Sequence, residues 1–160
     1  MKSVICHEIS EDISTVSFEE IDLRAPKGNE VQIKIMAFAV NFPDLLMIQG
    51  KYQFKPPLPF SPGGEFSGEV VDVGEDVTGF SVGDRVVGGA RYGGFSEAIN
   101  IEQNSLRHLP INISFAKAAS YSTAYLTALV ALKVRGRLQP NETLLVHGAT
   151  GGVGMAAVDL

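Results

Sequence analysis

A chain of 160 residues is long enough for one ordinary domain plus part of another, and 45% apolar with 19% charged residues suits a chain that buries a core. Eighteen acidic against thirteen basic residues leave a net charge of −5, a balance with no general pull toward a nucleic-acid backbone or an anionic lipid, so no nucleic-acid partner is expected. The single cysteine, Cys6, excludes an internal disulfide and any multi-cysteine zinc site; the N-terminus has no long apolar core and no run of about 18 apolar residues follows, so a cytoplasmic protein without a membrane span is the expectation.

Residues 30–110 read as short strands broken by turns. Val31, Ile33 and Ile35 alternate with Gln32, Lys34 and Met36, the period of two that marks a half-buried strand. Pro56, Pro57, Pro59 and Pro62 forbid a regular element between residues 56 and 62. Glu69–Gly74 is a second strand ending at a glycine, followed by the polar turn Glu75–Gly79, and Asp84–Val87 is a third, bracketed by Gly83 and Gly88. Further strands are expected over Phe95–Ile101 and Leu106–Leu109. The close spacing of turn signals favours a mainly β fold of the small, partly open barrel kind.

After Pro110 the pattern changes. Ser114 is a fair helix cap, and Phe115–Leu132 holds six alanines with no Gly or Pro, which predicts one continuous helix stopped by Gly136. Ala118, Ser122, Tyr125, Leu129 and Leu132 fall on one face of it. Thr143–His147 reads as an apolar strand of the buried kind. It runs directly into Gly148-Ala149-Thr150-Gly151-Gly152-Val153-Gly154 and then a small-residue helix. Strand, glycine turn and helix in that order are what a pyrophosphate needs, because the backbone comes close to the phosphate oxygens and the helix start offers free N–H groups. The plainer reading is a tight strand-to-helix turn that binds nothing. The residue that would read the ribose 2′-position lies about 20 residues past such a turn, beyond Leu160, so the chain reads as the N-terminal part of a longer protein whose α/β layer has only opened.

Five segments in register carry a resemblance: residues 40–44 with 50–52, 62–70, 82–86, 123–125, and 147–154. Together they resemble the medium-chain dehydrogenase/reductase superfamily and, within it, the zinc-free quinone oxidoreductases related to zeta-crystallin. The resemblance implies a GroES-like catalytic domain over residues 1–112 and the start of a Rossmann domain over 113–160. In the superfamily's zinc alcohol dehydrogenases a cysteine stands in the place of Asn41 and a histidine in that of Gly64. An asparagine is a poor zinc ligand and a glycine none, so no metal is expected.

The same resemblance implies NADPH as cofactor, with NAD not excluded, and a quinone or α,β-unsaturated carbonyl as hydride acceptor. It places Asn41, Tyr52 and Thr123 along the cofactor and substrate cleft, with Asn41 and Tyr52 as the catalytic candidates and Gly151, Gly152, Val153 and Gly154 as the pyrophosphate turn. Each residue has an ordinary alternative. Asn41 is either a holder of the nicotinamide ribose or carboxamide, or a turn residue beside Pro43. Tyr52 is either a cofactor or substrate contact or an exposed loop tyrosine, and Thr123 either bonds the carboxamide or its own helix backbone. Glu65 is read as a buried acid with a structural partner, His147 as a packed strand-end histidine, Cys6 as a buried thiol, and Asp84-Arg85 as a turn and salt-bridge element. The isolated chain is expected to be inactive and the longer protein a homodimer. The alternatives are an enoyl-reductase module of a polyketide or fatty acid synthase, or a non-catalytic binding module of the same fold.

Overall fold

A computed structural model describes residues 1–160, which divide into two units, Met1–Ala119 and Ser120–Leu160. In the first, β1 (Lys2–Cys6) and β2 (Val16–Glu20) pair antiparallel, Lys2 opposite Glu20 and Cys6 opposite Val16. β3 (Glu30–Ala39), β4 (Glu65–Val73), β5 (Arg85–Gly89), β6 (Ala98–Glu102) and β7 (Leu106–His108) form a second antiparallel sheet in the order β6-β3-β4-β5-β7. Single bridges, Ser3 to Ser96 and Cys6 to Phe60, tie β1 to the segments flanking this sheet. Edge strands β6 and β7 do not pair with each other, so the barrel is open.

The alternation expected in β3 is present. Val31 and Ile33 are fully buried and meet Phe66 and Val70 of β4, Val86 of β5 and Leu106 of β7 in one core. A smaller apolar cluster gathers Cys6, Met47, Ile48 and Phe60 around α1 (Phe42–Ile48), a helix that the sequence reading did not predict. β1 and β2 were not predicted either. The proline-rich stretch carries no regular element beyond the bridge at Phe60, and its Leu58–Pro59 peptide is cis.

The single helix expected over residues 115–132 is not formed. α2 (Phe115–Ala119) begins at Ser114, whose Oγ accepts the Lys117 N–H at 3.3 Å, and it ends before Ser120. α3 (Ser122–Leu129) then runs into a π-helical turn, Val130–Arg135, closed by Gly136 N–H on the Ala131 carbonyl at 2.7 Å. Neither Gly nor Pro causes the break. Tertiary anchoring overrides propensity: α2 is fixed to the first unit by Ser67 Oγ, which donates to the Phe115 carbonyl at 2.7 Å, and by the Arg85 guanidinium over the Phe115 ring. The five-residue face therefore loses its phase, and Leu129 is 40% exposed.

In the second unit α3 packs on α4 (Gly152–Asp159), with Tyr125 Oη donating to Asp159 Oδ2 at 2.7 Å. The buried strand expected at Thr143–His147 is absent. The segment has no ladder partner, and Leu145 is 77% exposed. A parallel strand needs a neighbour to satisfy its backbone, and residues 120–160 contain no other extended segment to supply one. His147 is accordingly exposed rather than packed. No helix is long and apolar enough to cross a membrane.

Candidate functional site

At the joint between β3 and α1 the chain concentrates polar groups that it keeps dry. Asn41 is extended (φ −118°, ψ 158°) and caps α1, with Pro43 in the first turn. The Asp44 carboxylate reaches back to the Asn41 backbone N–H at 2.8 Å, the return arm of a capping box. Asn41 Nδ2 donates to Glu65 Oε1 at 2.9 Å, from α1 across to the first residue of β4. Asp44 and Glu65 are 1% and 2% exposed, so two carboxylates sit in a largely water-free joint. Burial pushes the Asp44 carboxyl above its ordinary range and the neighbouring Glu65 adds to the push, while N–H groups of Asn41, Gly63 and Gly64 oppose it. Asp44 did not stand out in the sequence reading, yet an asparagine followed three residues later by an acid, with proline between, is a helix-start signature. The expected structural partner of Glu65 is Asn41.

Tyr52 is not the exposed loop tyrosine of the plainer reading. It is half-buried against the Cys6, Met47, Ile48 and Phe60 cluster, and its N–H bonds the Leu46 carbonyl at 3.1 Å at the far end of α1. α1 thus carries Asn41 at its start and Tyr52 just past its end. Cys6 is buried as expected; burial raises its thiol pKa, and its Sγ donates to the Glu8 carbonyl at 3.1 Å. Asp84 and Arg85 do not pair with each other. Asp84 accepts the Ser81 N–H and faces His108 Nδ1 at 3.9 Å, the salt-bridge geometry expected of it with another partner, whereas Arg85 donates to the carbonyls of Pro110 and Ile113.

In the second unit Thr123 lies half-buried in the first turn of α3. Gly151 caps α4 without a side chain, and Gly152, Val153 and Gly154 form its first turn, the first two of them exposed. Gly148 adopts φ +69°, and the Gly151 N–H closes on its carbonyl at 3.0 Å. A Cβ on Gly154 would lie 2.2 Å from that same carbonyl oxygen and 2.8 Å from Ala149 Cα. The turn therefore folds onto its own helix more tightly than any side chain permits. The helix start it leaves open presents unpaired N–H groups to solvent, which suits an anion.

A cavity of about 590 Å³ opens in the first unit between β1, β2 and β6, and its lining does not include Asn41, Glu65 or Tyr52. One of about 340 Å³ in the second unit is lined by Leu129, Leu132, Leu144, Val146 and Val158 among others. No three His, Cys, Asp or Glu side chains converge as a metal site would require.

Residues 27–111 match the alcohol dehydrogenase GroES-like domain family. The chain is 38% identical over 159 residues to quinone oxidoreductase-like protein 2 of Mus musculus, covering 99% of this chain and 45% of the relative. It is 40% identical over 160 residues to the quinone oxidoreductase-like protein 2 homolog of Nematostella vectensis, covering 99% and 43%. It superimposes on the Escherichia coli quinone oxidoreductase complexed with NADPH with a TM-score of 0.92 and 33% identity, covering 98% of this chain and 48% of that one. The chain spans about half the length of the relatives it matches.

Proposed function

Since this chain belongs to the alcohol dehydrogenase GroES-like domain family of medium-chain dehydrogenases/reductases, we propose that it is the N-terminal part of an NADPH-dependent, zinc-independent oxidoreductase. Residues 1–112 act as the catalytic domain and 113–160 open the dinucleotide-binding domain. The observation that carries the reading is the glycine turn, in which Gly154 has no room for a Cβ and α4 opens free N–H groups behind Gly148. NADPH as the cofactor is supported by the complex of the Escherichia coli relative.

Gly151, Gly152, Val153 and Gly154 would hold the pyrophosphate through backbone N–H groups, with no side chain in the way. Bound there, the dinucleotide would supply a hydride to a quinone or an enone. Asn41 offers a fixed amide to the nicotinamide riboside half, Thr123 a hydroxyl, and Tyr52 a phenol for the acceptor's carbonyl oxygen, where negative charge collects. Zinc is not needed for this. The positions that would hold it carry an amide already engaged with Glu65 and a residue without a side chain. The whole protein is a homodimer in this reading, and the 160 residues alone do not turn over.

The test is made on the full-length natural chain that contains these residues. NADPH fluorescence should change saturably on titration, and NADPH should be consumed with a simple quinone or enone, unaffected by a zinc chelator. A full-length chain that leaves NADPH fluorescence unchanged would overturn the assignment.

A further inference from the structure

We propose that Glu65 is a positioning residue: by accepting from Asn41 Nδ2 it fixes which end of the Asn41 amide remains for a ligand. The proposal rests on the dinucleotide reading above and assigns Glu65 a role within it. An asparagine amide has two ends of similar shape and opposite chemistry, an oxygen that accepts and a nitrogen that donates. A carboxylate has no hydrogen to give, so the end 2.9 Å from Glu65 Oε1 must be Nδ2. Oδ1 is then the end turned from Glu65 and toward the Asp44 N–H of the capping box, and a carbonyl oxygen with two lone pairs keeps one of them to accept from a hydroxyl or an N–H.

Both partners are held from outside the pair. Glu65 is paired in the ladder on both sides, opposite Ala39 of β3 and Gly89 of β5, and is 2% exposed. Asn41 has its backbone N–H clamped by Asp44 at 2.8 Å. Backbone and amide are thus set independently, the arrangement a preorganised acceptor needs. The ligand group this acceptor recognises is a hydrogen-bond donor, a ribose hydroxyl or a carboxamide N–H of the nicotinamide half.

A swap of the two chemistries tests this in the full-length protein, with NADPH affinity and thermal midpoint measured for each variant. Glu65→Gln puts an amide opposite an amide, so Asn41 loses its enforced orientation, and NADPH affinity is expected to fall about threefold to tenfold. Asn41→Asp alone places a third carboxylate among Asp44 and Glu65 and is expected to lose more than tenfold, with a lowered midpoint. In the double variant Asn41→Asp/Glu65→Gln, the introduced glutamine amide donates to the introduced carboxylate. That carboxylate keeps an oxygen free to accept, and the pair's net charge is unchanged. Affinity is then expected to return to within about threefold of wild type.

A role confined to stability would restore the midpoint but not the affinity. That result overturns the positioning role, as does full affinity in Glu65→Gln. Both would leave the dinucleotide reading standing, because wild type still binds. If wild type itself fails to bind NADPH, the dinucleotide reading falls and this proposal with it.

Discussion

Asp44 shows how one side chain holds a joint together. Its carboxylate takes backbone N–H groups from Asn41 and from the Gly63–Gly64 turn, so it ties α1 to the approach of β4. Asp44→Ala would leave those donors buried and unpaired, and is expected to cost about 2–4 kcal/mol in denaturant unfolding. A cost under about 1 kcal/mol would mean that water replaces the carboxylate. Its charge works in the opposite direction. Because the folded state raises the Asp44 pKa, its contribution is fully present below the ordinary value of 3.8 and is lost as pH rises through the raised value. Glu30 behaves with the reverse sign. Hydrogen bonds from Arg24 lower it from 4.5 to about 2, so its stabilisation holds above 4.5 and is lost as pH falls toward 2. Glu30→Gln should therefore flatten the acid-side loss of stability, and Asp44→Asn should flatten the decline on the rising side. Identical pH profiles in wild type and both variants would contradict these assignments.

At the scale of elements, the glycine turn separates two glycines that look alike in sequence. A Cβ on Gly154 meets the Gly148 carbonyl at 2.2 Å, whereas one on Gly152 meets only Ala124 Cβ at 3.9 Å. Gly154→Ala must push α4 off its turn, an overpacking cost of about 2 kcal/mol, and should abolish NADPH binding by the full-length protein. Gly152→Ala should leave the melting midpoint nearly unchanged; equal midpoints for the two variants would refute the geometry. Elements with a strong local period were legible in the sequence. β3 could be read because Val31, Ile33 and Ile35 alternate, and β5 because Gly83 and Gly88 bracket it. α1 escaped because seven residues hold too few turns for a helical period to emerge, and β1 because its residues at positions 5 and 6 are both buried, which hides the alternation. The break at Ser120 was illegible for a different reason: no Gly or Pro marks it, and the contacts that anchor Phe115, from Ser67 and Arg85, come from strands far away in sequence. Of the candidate site, Asn41 and the glycine turn were legible as motifs. The Asn41–Glu65 bond was not, because it spans 24 positions of sequence.

The two units differ in how far each is finished as a folding unit. Residues 1–119 own a core of six buried side chains from four strands, together with a second cluster around α1. Among residues 120–160 only Ala128 and Ala156 are buried hydrophobics, and Leu145, Val158 and Val134 stand out to solvent. Alanines bury little area, so this segment cannot offset the entropy of ordering some forty residues by itself. Stability in the 160-residue chain should therefore reside in the first unit. In native-state hydrogen exchange the amides of β3 and β4 should be the slowest, and those of residues 143–147, which have no ladder, should exchange close to the unprotected rate. Cutting the chain after Ala119 should leave the main cooperative transition in place while lowering the binding of an apolar-surface dye. The apolar groove lined by Leu129, Leu144 and Val158 goes with the excised segment. If the cut chain loses its transition, the first unit depends on the second for its fold, and the independent core inferred from Val31, Ile33 and Phe66 is insufficient.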